Sequence, residues 1–173
     1  MNEQTLETII GQTLCGDLDI KIDKEGLWFY HGSPIGRKEL VKLFASVLHK
    51  DEEGCHWLIT PAEKGEIVVE DVAFLAVEMT VTGQGKEQSL EFFTNVDDIV
   101  IAGEDNPLRI EEDLQTGEPS PYILVRDRLE ARLNRPVFYE LVDLGVEEVI
   151  NNERIYGVWS NGQFFQIGKI TEA

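Results

Sequence analysis

Cysteine and histidine are scarce in this chain of 173 residues, which has two cysteines and three histidines. Cys15 and Cys55 are too few for a disulfide framework, and a reducing compartment would keep them as thiols. The cysteines and histidines also lack the paired spacings that zinc sites require, so we expect no metal site.

Catalytic signatures are missing as well. The sequence contains no P-loop, no Gly-x-Gly-x-x-Gly after a strand and no Gly-x-Ser-x-Gly. Pairs such as Asp97-Asp98 arise by chance among 33 acidic residues, so we assign them no acid–base role. We therefore predict no catalytic residue, no required cofactor and, on balance, no enzyme.

Positive charge is in short supply. Fifteen lysines and arginines face 33 acidic residues, which gives a formal net charge of -18. Such a charge repels phosphate backbones and anionic headgroups, so nucleic acid polymers and membrane surfaces are excluded as expected partners. Solubility alone explains the acidity, although a local cationic pocket would still admit one small anion.

Long hydrophobic runs are absent, since none approaches the roughly 20 residues of a membrane-spanning helix. The first residues, Met1–Thr5, show neither the basic region nor the apolar region of a secretory leader. We therefore expect a cytoplasmic protein. Hydrophobic residues make up 42% of the chain, which is enough for a core.

Apolar periodicity in the first half predicts a hairpin and a helix. Residues 18–22 alternate as a strand, 23–26 form a turn and 27–31 form the return strand. Helical spacing predicts helices over residues 3–14 and 37–49. Further strands are predicted over residues 57–60, 66–71 and 73–82.

The second half reads as mostly strand. Asn161-Gly162 between two apolar runs predicts a hairpin with a type I′ turn. Residues 146–150 fit either a strand or a short helix. The predicted strands cover residues 90–94, 98–102, 108–111, 122–126, 129–133, 137–142, 154–159 and 163–167.

These elements predict an α+β fold that is mostly antiparallel. The loop Gly83–Lys86 marks the boundary that we predict between an N-terminal module, residues 1–83, and a C-terminal module, residues 84–173.

A weak internal similarity links the two halves. Trp57–Thr60 aligns with Tyr122–Val125, and the same offset aligns residues 72–79 with 137–144. A period of this length suggests a duplicated module with a helix in its first copy. Coincidence among apolar strands is the alternative.

The richest candidate site is the stretch Gly26–Arg37. Strand alternation places Trp28 and Tyr30 on one face, and Leu27, Phe29 and His31 on the other. One of these two faces must pack into the core. Aromatic rings beside the Arg37 guanidinium would suit a planar anionic ligand. Alternatively, the aromatic residues are core and Arg37 caps its helix.

Two further stretches carry candidate ligand-binding residues. The turn that contains Thr60, Glu63 and Lys64 offers a hydroxyl, an acid and a base, or it is simply an exposed turn. Arg126 and Arg128 belong to a basic cluster and share a face if the strand continues. That cluster would bind an anion or an acidic protein partner, or it would neutralise the first module's surface.

Several motifs match a known family. They are Gly16-Asp17, Asp23-x-x-Gly26-x-Trp28-Phe29-Tyr30-x-Gly32-Ser33-Pro34-Ile35-x-Arg37, Leu43-Phe44, Leu58-Ile59-Thr60-Pro61-x-Glu63-Lys64, Val69-Glu70-Asp71-x-x-Phe74 and Thr94-Asn95. With these motifs the chain resembles the bacterial domain-of-unknown-function family 1285 over nearly its whole length. It departs at Gly65, where the family pattern has a bulkier residue, and at Cys55.

The resemblance implies a duplicated α+β module whose second half is superficially like a pleckstrin-homology barrel. It also implies a nucleotide-like ligand between the halves and a role in signalling. We therefore predict a non-enzymatic ligand-binding or sensor protein for a small anionic ligand. The alternatives are a protein-interaction scaffold and, third, an enzyme without a recognisable motif.

Overall fold

The computed structural model describes residues 13–169. The chain divides into two compact units, with residues 1–73 and 127–129 in the first and the remainder in the second. The described part is mostly β, with two α-helices. Neither of these helices is long and apolar enough to cross a membrane. The helix predicted over residues 3–14 lies almost wholly outside the described residues, and Thr13 and Leu14 at its end belong to a strand.

The first unit is built on a mixed sheet of six strands among the described residues, in the order β3-β2-β1-β6-β5-β4. Neighbouring strands are antiparallel except for the central pair, β1 and β6, which is parallel. The strands are β1 (Thr13–Ile22), β2 (Trp28–Tyr30), β3 (Ser33–Pro34), β4 (Leu48–Lys50), β5 (His56–Ile59) and β6 (Glu63–Val69).

The hairpin predicted at the start of this unit is present. Ile22 pairs with Trp28, and the Asp23 side chain accepts the Leu27 amide at 2.8 Å while Gly26 adopts a φ of 80°. Glycine at this position avoids the steric cost of a left-handed conformation. Ile20, Ile22 and Trp28 are buried on one face, so this face of the hairpin is core.

The return strand ends earlier than predicted because a second tight turn follows it. His31 and Gly32 have φ values of 48° and 79°, and Tyr30 pairs with Ser33 across them. Two successive positive φ values are the requirement of a type I′ hairpin turn. His31 is therefore a turn residue and does not share a strand face with Leu27, as alternation had predicted.

The predicted helix 37–49 is present as α1 (Lys38–Ser46), which is shorter at its C-terminal end. Its cap Val47 has left the helical conformation, and the Val47 carbonyl accepts the Ile59 amide at 2.9 Å. Leu48 then pairs with Leu58 in the sheet. The final predicted turn of helix is thus replaced by a strand, because pairing with β5 buries Leu48 completely.

The second unit contains another mixed sheet, whose six strands in the described chain follow the order β10-β11-β12-β7-β8-β9. The central pair, β7 and β12, is again parallel. The strands are β7 (Phe74–Thr82), β8 (Ser89–Thr94), β9 (Ile99–Ile101), β10 (Leu108–Glu112), β11 (Pro119–Arg126) and β12 (Leu129–Leu133).

One predicted strand of the second unit is a helix. Residues 137–142 lie in α2 (Arg135–Asp143), and the Asn134 side chain accepts the Val137 amide at 3.0 Å. An asparagine N-cap followed by Pro136 in the first turn starts a helix even where the apolar spacing also fits a strand. Leu141 is fully buried, so α2 contributes to the core.

A three-stranded antiparallel sheet completes the described part of this unit, with β13 (Val146–Ile150), β14 (Glu153–Ser160) and β15 (Gln163–Lys169) in that order. The predicted turn at Asn161 and Gly162 joins the last two strands with φ values of 49° and 79°. The strands of this half thus lie in two sheets, and they do not confirm the predicted likeness to a pleckstrin-homology barrel.

The two six-stranded sheets repeat one topology. In each, two three-stranded antiparallel meanders lie side by side, and the first strand of the first meander pairs in parallel with the last strand of the second. Strand β5 corresponds to β11, as the alignment of Trp57–Thr60 with Tyr122–Val125 predicted. The alignment fails after β6, because residues 74–82 form a strand while 135–143 form α2.

Strand β7 belongs to the second unit, since its backbone pairs with β8 and β12. The loop Gly83–Lys86, which we predicted as a boundary, therefore lies inside a hairpin of that unit. The chain passes from the first unit to the second at Ala73 and Phe74.

Candidate functional site

A cavity of about 260 Å³ lies within the first unit, between α1 and the sheet. A cavity of this size holds more than a benzene molecule, for which 150 Å³ is enough. Its wall is mostly apolar. The lining residues are Leu18, Ile20, Tyr30, Phe44, Val47, Leu58, Thr60, Glu63 and Gly65.

The cavity depends on a close approach between β1 and β6. A Cβ atom at Gly65 would lie 2.3 Å from Cγ of Leu18, closer than side-chain atoms tolerate. The Leu18 side chain therefore occupies the space that a larger residue at position 65 would take.

Three polar side chains reach the cavity: those of Tyr30, Thr60 and Glu63. The turn fixes the Thr60 side chain and the Glu63 backbone, because Oγ1 of Thr60 accepts the Glu63 amide at 3.1 Å and the Thr60 amide donates to the Glu63 carbonyl at 2.8 Å. Among residues 17–169, whose side chains the structure describes, neither the Glu63 carboxylate nor the Tyr30 hydroxyl has a hydrogen-bond or ion-pair partner. Both groups are thus available to a bound molecule.

The stretch Gly26–Arg37 divides between core and surface. Trp28 is 2% exposed and stacks on Phe44 with ring centroids 6.2 Å apart, so it supports the cavity wall from behind. A hydrogen bond of 2.7 Å joins Nδ1 of His31 to Asp19 at the surface. Arg37 is exposed at the N-cap of α1. None of these three residues lines the cavity.

Lys64 points away from the cavity, on the opposite face of β6 from Glu63. Its ammonium lies 4.1 Å from the centre of the Trp57 ring, a cation–π contact, and the residue is 9% exposed. The structure therefore brings Thr60 and Glu63 together and separates Lys64 from them.

The two candidate arginines lie in different units. Arg126 ends β11 with its guanidinium 5.8 Å from the centre of the Phe74 ring. Arg128 lies 3.3 Å from a carboxylate oxygen of Glu52. Asp127 between them has a φ of 39°, so the strand does not continue and the two arginines do not share a strand face.

His56 is a buried polar residue of β5 that the sequence did not single out. It is 7% exposed. Burial, reinforced by the nearby Lys50 ammonium, lowers the pKa of His56 to about 4. The imidazole is therefore neutral in the folded protein near neutral pH.

A second hollow, of about 720 Å³, lies in the second unit and is more open. Its lining residues are Ile110, Glu112, Gln166, Ile167, Gly168 and Lys169. Among the residues that the structure describes, no three histidine, cysteine or acidic side chains are grouped so that they could hold a metal ion.

Comparisons with known proteins agree with the sequence motifs. The family model for the N-terminal domain of DUF1285, a domain of unknown function, matches residues 12–72, and the model for the DUF1285 C-terminal domain matches residues 73–167. The chain belongs to the DUF1285 family. The two models meet where the chain passes from the first unit to the second.

Two solved structures of this family are similar to the chain. A DUF1285 protein from Silicibacter pomeroyi DSS-3 is 46% identical, with a TM-score of 0.84 over 92% of this chain and 84% of that one. A DUF1285 protein from Shewanella baltica OS155 is 24% identical, with a TM-score of 0.55 over 72% of this chain and 91% of that one, and it shows the fold alone. No curated protein matches the chain.

Of the residues predicted to bind a ligand, Thr60 and Glu63 line the cavity, and most of its wall was not predicted from the sequence. Phe44, Val47 and Leu58 looked like ordinary core residues, because apolar periodicity marks the face that is buried but not a gap in its packing.

Proposed function

We propose that this DUF1285 protein is a non-enzymatic binding module that takes a small molecule into the cavity of its first unit. The observation that carries the proposal is the cavity itself, which has an apolar wall and a few polar groups at fixed positions. Small-molecule sites generally combine these two features. A sensor role in bacterial signalling, which the family resemblance implied, is part of the proposal.

The predicted preference for a small anion finds no support in the lining of this cavity. Arg37, Lys64 and Arg128 do not line it, and the Glu63 carboxylate does. A nucleotide-like ligand would bring negative charge towards that carboxylate. The binding screen therefore includes anions, but we do not expect an anion to be the ligand.

Thermal-shift and NMR screening of the full chain would test the proposal, with a fragment library of apolar, cationic and anionic compounds beside nucleotides and sugar phosphates. A ligand at 100 times its Kd stabilises the folded state by about 2.7 kcal/mol. We expect at least one class to raise the melting temperature and to shift the resonances of Tyr30 and Phe44.

Val47→Phe provides the blocking variant, because Val47 lines the cavity and a phenyl ring there would fill it. Val68→Phe is the matched control, since Val68 lies in β6 with 52% of its surface exposed and does not line the cavity. Blocking should abolish ligand binding, and the control should retain it. If no compound binds the wild-type cavity, the proposal fails and the protein-interaction alternative takes its place.

A further inference from the structure

We propose that the cavity selects a protonated amine carried on a small apolar or aromatic body. This inference rests on the proposed function, because it names the class of ligand for the same cavity. Its basis is the charge of the lining and the chemistry of the two aromatic rings within it.

The charge of the lining is negative. Among the lining residues that the structure describes, Glu63 is the one charged residue, and its carboxylate has no partner within residues 17–169. Hydrogen bonds with Thr60 hold the Glu63 backbone beside the cavity. An ammonium group placed there would gain a charge-assisted hydrogen bond that an alcohol could not match and a carboxylate would oppose.

Two aromatic side chains, Tyr30 and Phe44, add to the same preference. The faces of aromatic rings carry negative charge density and attract cations as well as apolar groups. Phe44 is itself backed by the buried ring of Trp28, so its position is fixed by packing. Apart from Thr60, Glu63 and Gly65, the rest of the described wall is aliphatic and would cover the body of the ligand.

The net charge of the whole molecule also favours a cationic ligand over an anionic one. A net charge of -18 raises the local concentration of cations and lowers that of anions near the surface. Basic residues do not reverse this at the cavity, because no lysine or arginine is among its described lining residues.

Three probes that share a phenylethyl group and differ in charge distinguish the ligand classes. They are 2-phenylethylamine, the neutral 2-phenylethanol and the anionic 3-phenylpropanoate. Each would be titrated into the full chain while the resonances of Tyr30 and Phe44 are followed. We expect the amine to bind most tightly and the anion most weakly. The affinity of the amine should fall as salt is added, because salt screens exposed charges.

Glu63→Gln tests the residue that carries the inference. Because Glu63 is exposed, we expect the variant to fold and to weaken the amine by about two- to fivefold, which is the range of an exposed ion pair. The affinity of the Glu63→Gln variant for 2-phenylethanol should equal that of the wild type. Glu66→Gln, at an exposed position of the same strand on the opposite face, is the matched control and should leave the amine unaffected.

The outcomes separate the ligand class from the binding function. Tighter binding of the alcohol or the acid, or an amine affinity that Glu63→Gln leaves unchanged, would overturn the amine class while cavity binding stands. If none of the three probes shifts Tyr30 or Phe44, the amine class is also overturned. The fragment screen with the Val47→Phe variant then decides the binding function separately.

Discussion

Single residues decide how closely two strands approach, and Gly65 is the clearest case. Its hydrogen leaves the space into which the Leu18 side chain fits. A methyl group there cannot be absorbed by rotation of a distant side-chain end, because the clash involves Cγ and both Cδ atoms of Leu18. The close approach of β1 and β6 thus depends on this pair.

Gly65→Ala should therefore destabilise the protein by about 1–3 kcal/mol through overpacking. The same substitution in a Leu18→Ala background should cost less, because the clashing atoms are gone. Urea unfolding of the four proteins in this double-mutant cycle would measure the coupling, which we expect to reach about 1 kcal/mol. Additive effects of the two substitutions would contradict the contact.

His56 makes stability depend on pH in the acid range. The folded-state pKa of His56, about 4, lies below the ordinary histidine value of 6.5, so the unfolded chain binds a proton first as the pH falls. The stabilisation is therefore complete above pH 6.5 and is lost progressively between pH 6.5 and 4. Between pH 7.5 and 4.5 this histidine should account for as much as about 2 kcal/mol of the loss.

His56→Gln removes this titration, so we expect its unfolding free energy to fall less steeply over the same pH range. Urea unfolding at several pH values would show the difference from wild type. His49→Gln, which makes the same replacement at an exposed position of the neighbouring strand, is measured beside it as the matched variant. Equal slopes for wild type and His56→Gln would contradict the prediction.

Residue-level predictions from the sequence succeeded where local chemistry decides the outcome. Gly26 and Gly162 were predicted in turns because few other residues adopt their backbone conformation. Alternation failed for His31, since the next residue, Gly32, permits a turn that ends the strand. Burial of Lys64 against Trp57 could not be predicted, because it depends on pairing between strands that are separate in sequence.

At the scale of elements, α2 shows how a cap can outweigh periodicity. The apolar residues around Val137 and Leu141 fit both a strand and one face of a helix, and we predicted a strand. The deciding residues lie just before them, where Asn134 accepts the Val137 amide and Pro136 occupies the first turn. Reading these two residues as a helix start would have given the correct element.

Asn134→Ala should cost about 1 kcal/mol of stability, with 0.5–2 kcal/mol as the usual range for a lost N-cap. Asn134→Asp keeps an acceptor at the same place and should stay close to wild type. Chemical unfolding followed by circular dichroism would measure both. A stability for Asn134→Ala equal to that of Asn134→Asp would contradict a capping role.

For the whole molecule, the position of the boundary between the two units decides which fragments should fold. A fragment of residues 74–173 retains β7, which pairs with both β8 and β12. A fragment of residues 84–173, cut at the boundary predicted from the loop, lacks the centre of that sheet. We expect dispersed amide resonances from the first fragment and collapsed resonances from the second.

Equal dispersion in the NMR spectra of both fragments would contradict the importance of β7. Circular dichroism of the same samples is an independent check, because loss of the central strand should remove sheet signal from its neighbours. A fragment of residues 80–173, which still lacks most of β7, serves as the control for the change in chain length.

The duplicated architecture could be predicted in part. The alignment of Trp57–Thr60 with Tyr122–Val125 matched the correct strands, β5 and β11. The parallel pairing at the centre of each sheet could not be predicted, because it joins strands that lie far apart in sequence and leaves no local pattern. The sequence therefore indicated that a module repeats but not how its strands are ordered.

The parallel pair at the centre of each sheet has a consequence for synthesis on the ribosome. Strand β1 leaves the ribosome well before β6, so one edge of it stays open until the rest of the unit has been translated. At roughly 5–20 residues per second, this delay lasts a few seconds. Unpaired edges invite pairing with other chains. Each unit is thus open to misassembly during translation until its parallel pair forms. A chaperone would protect the open edge of the meander that is translated first.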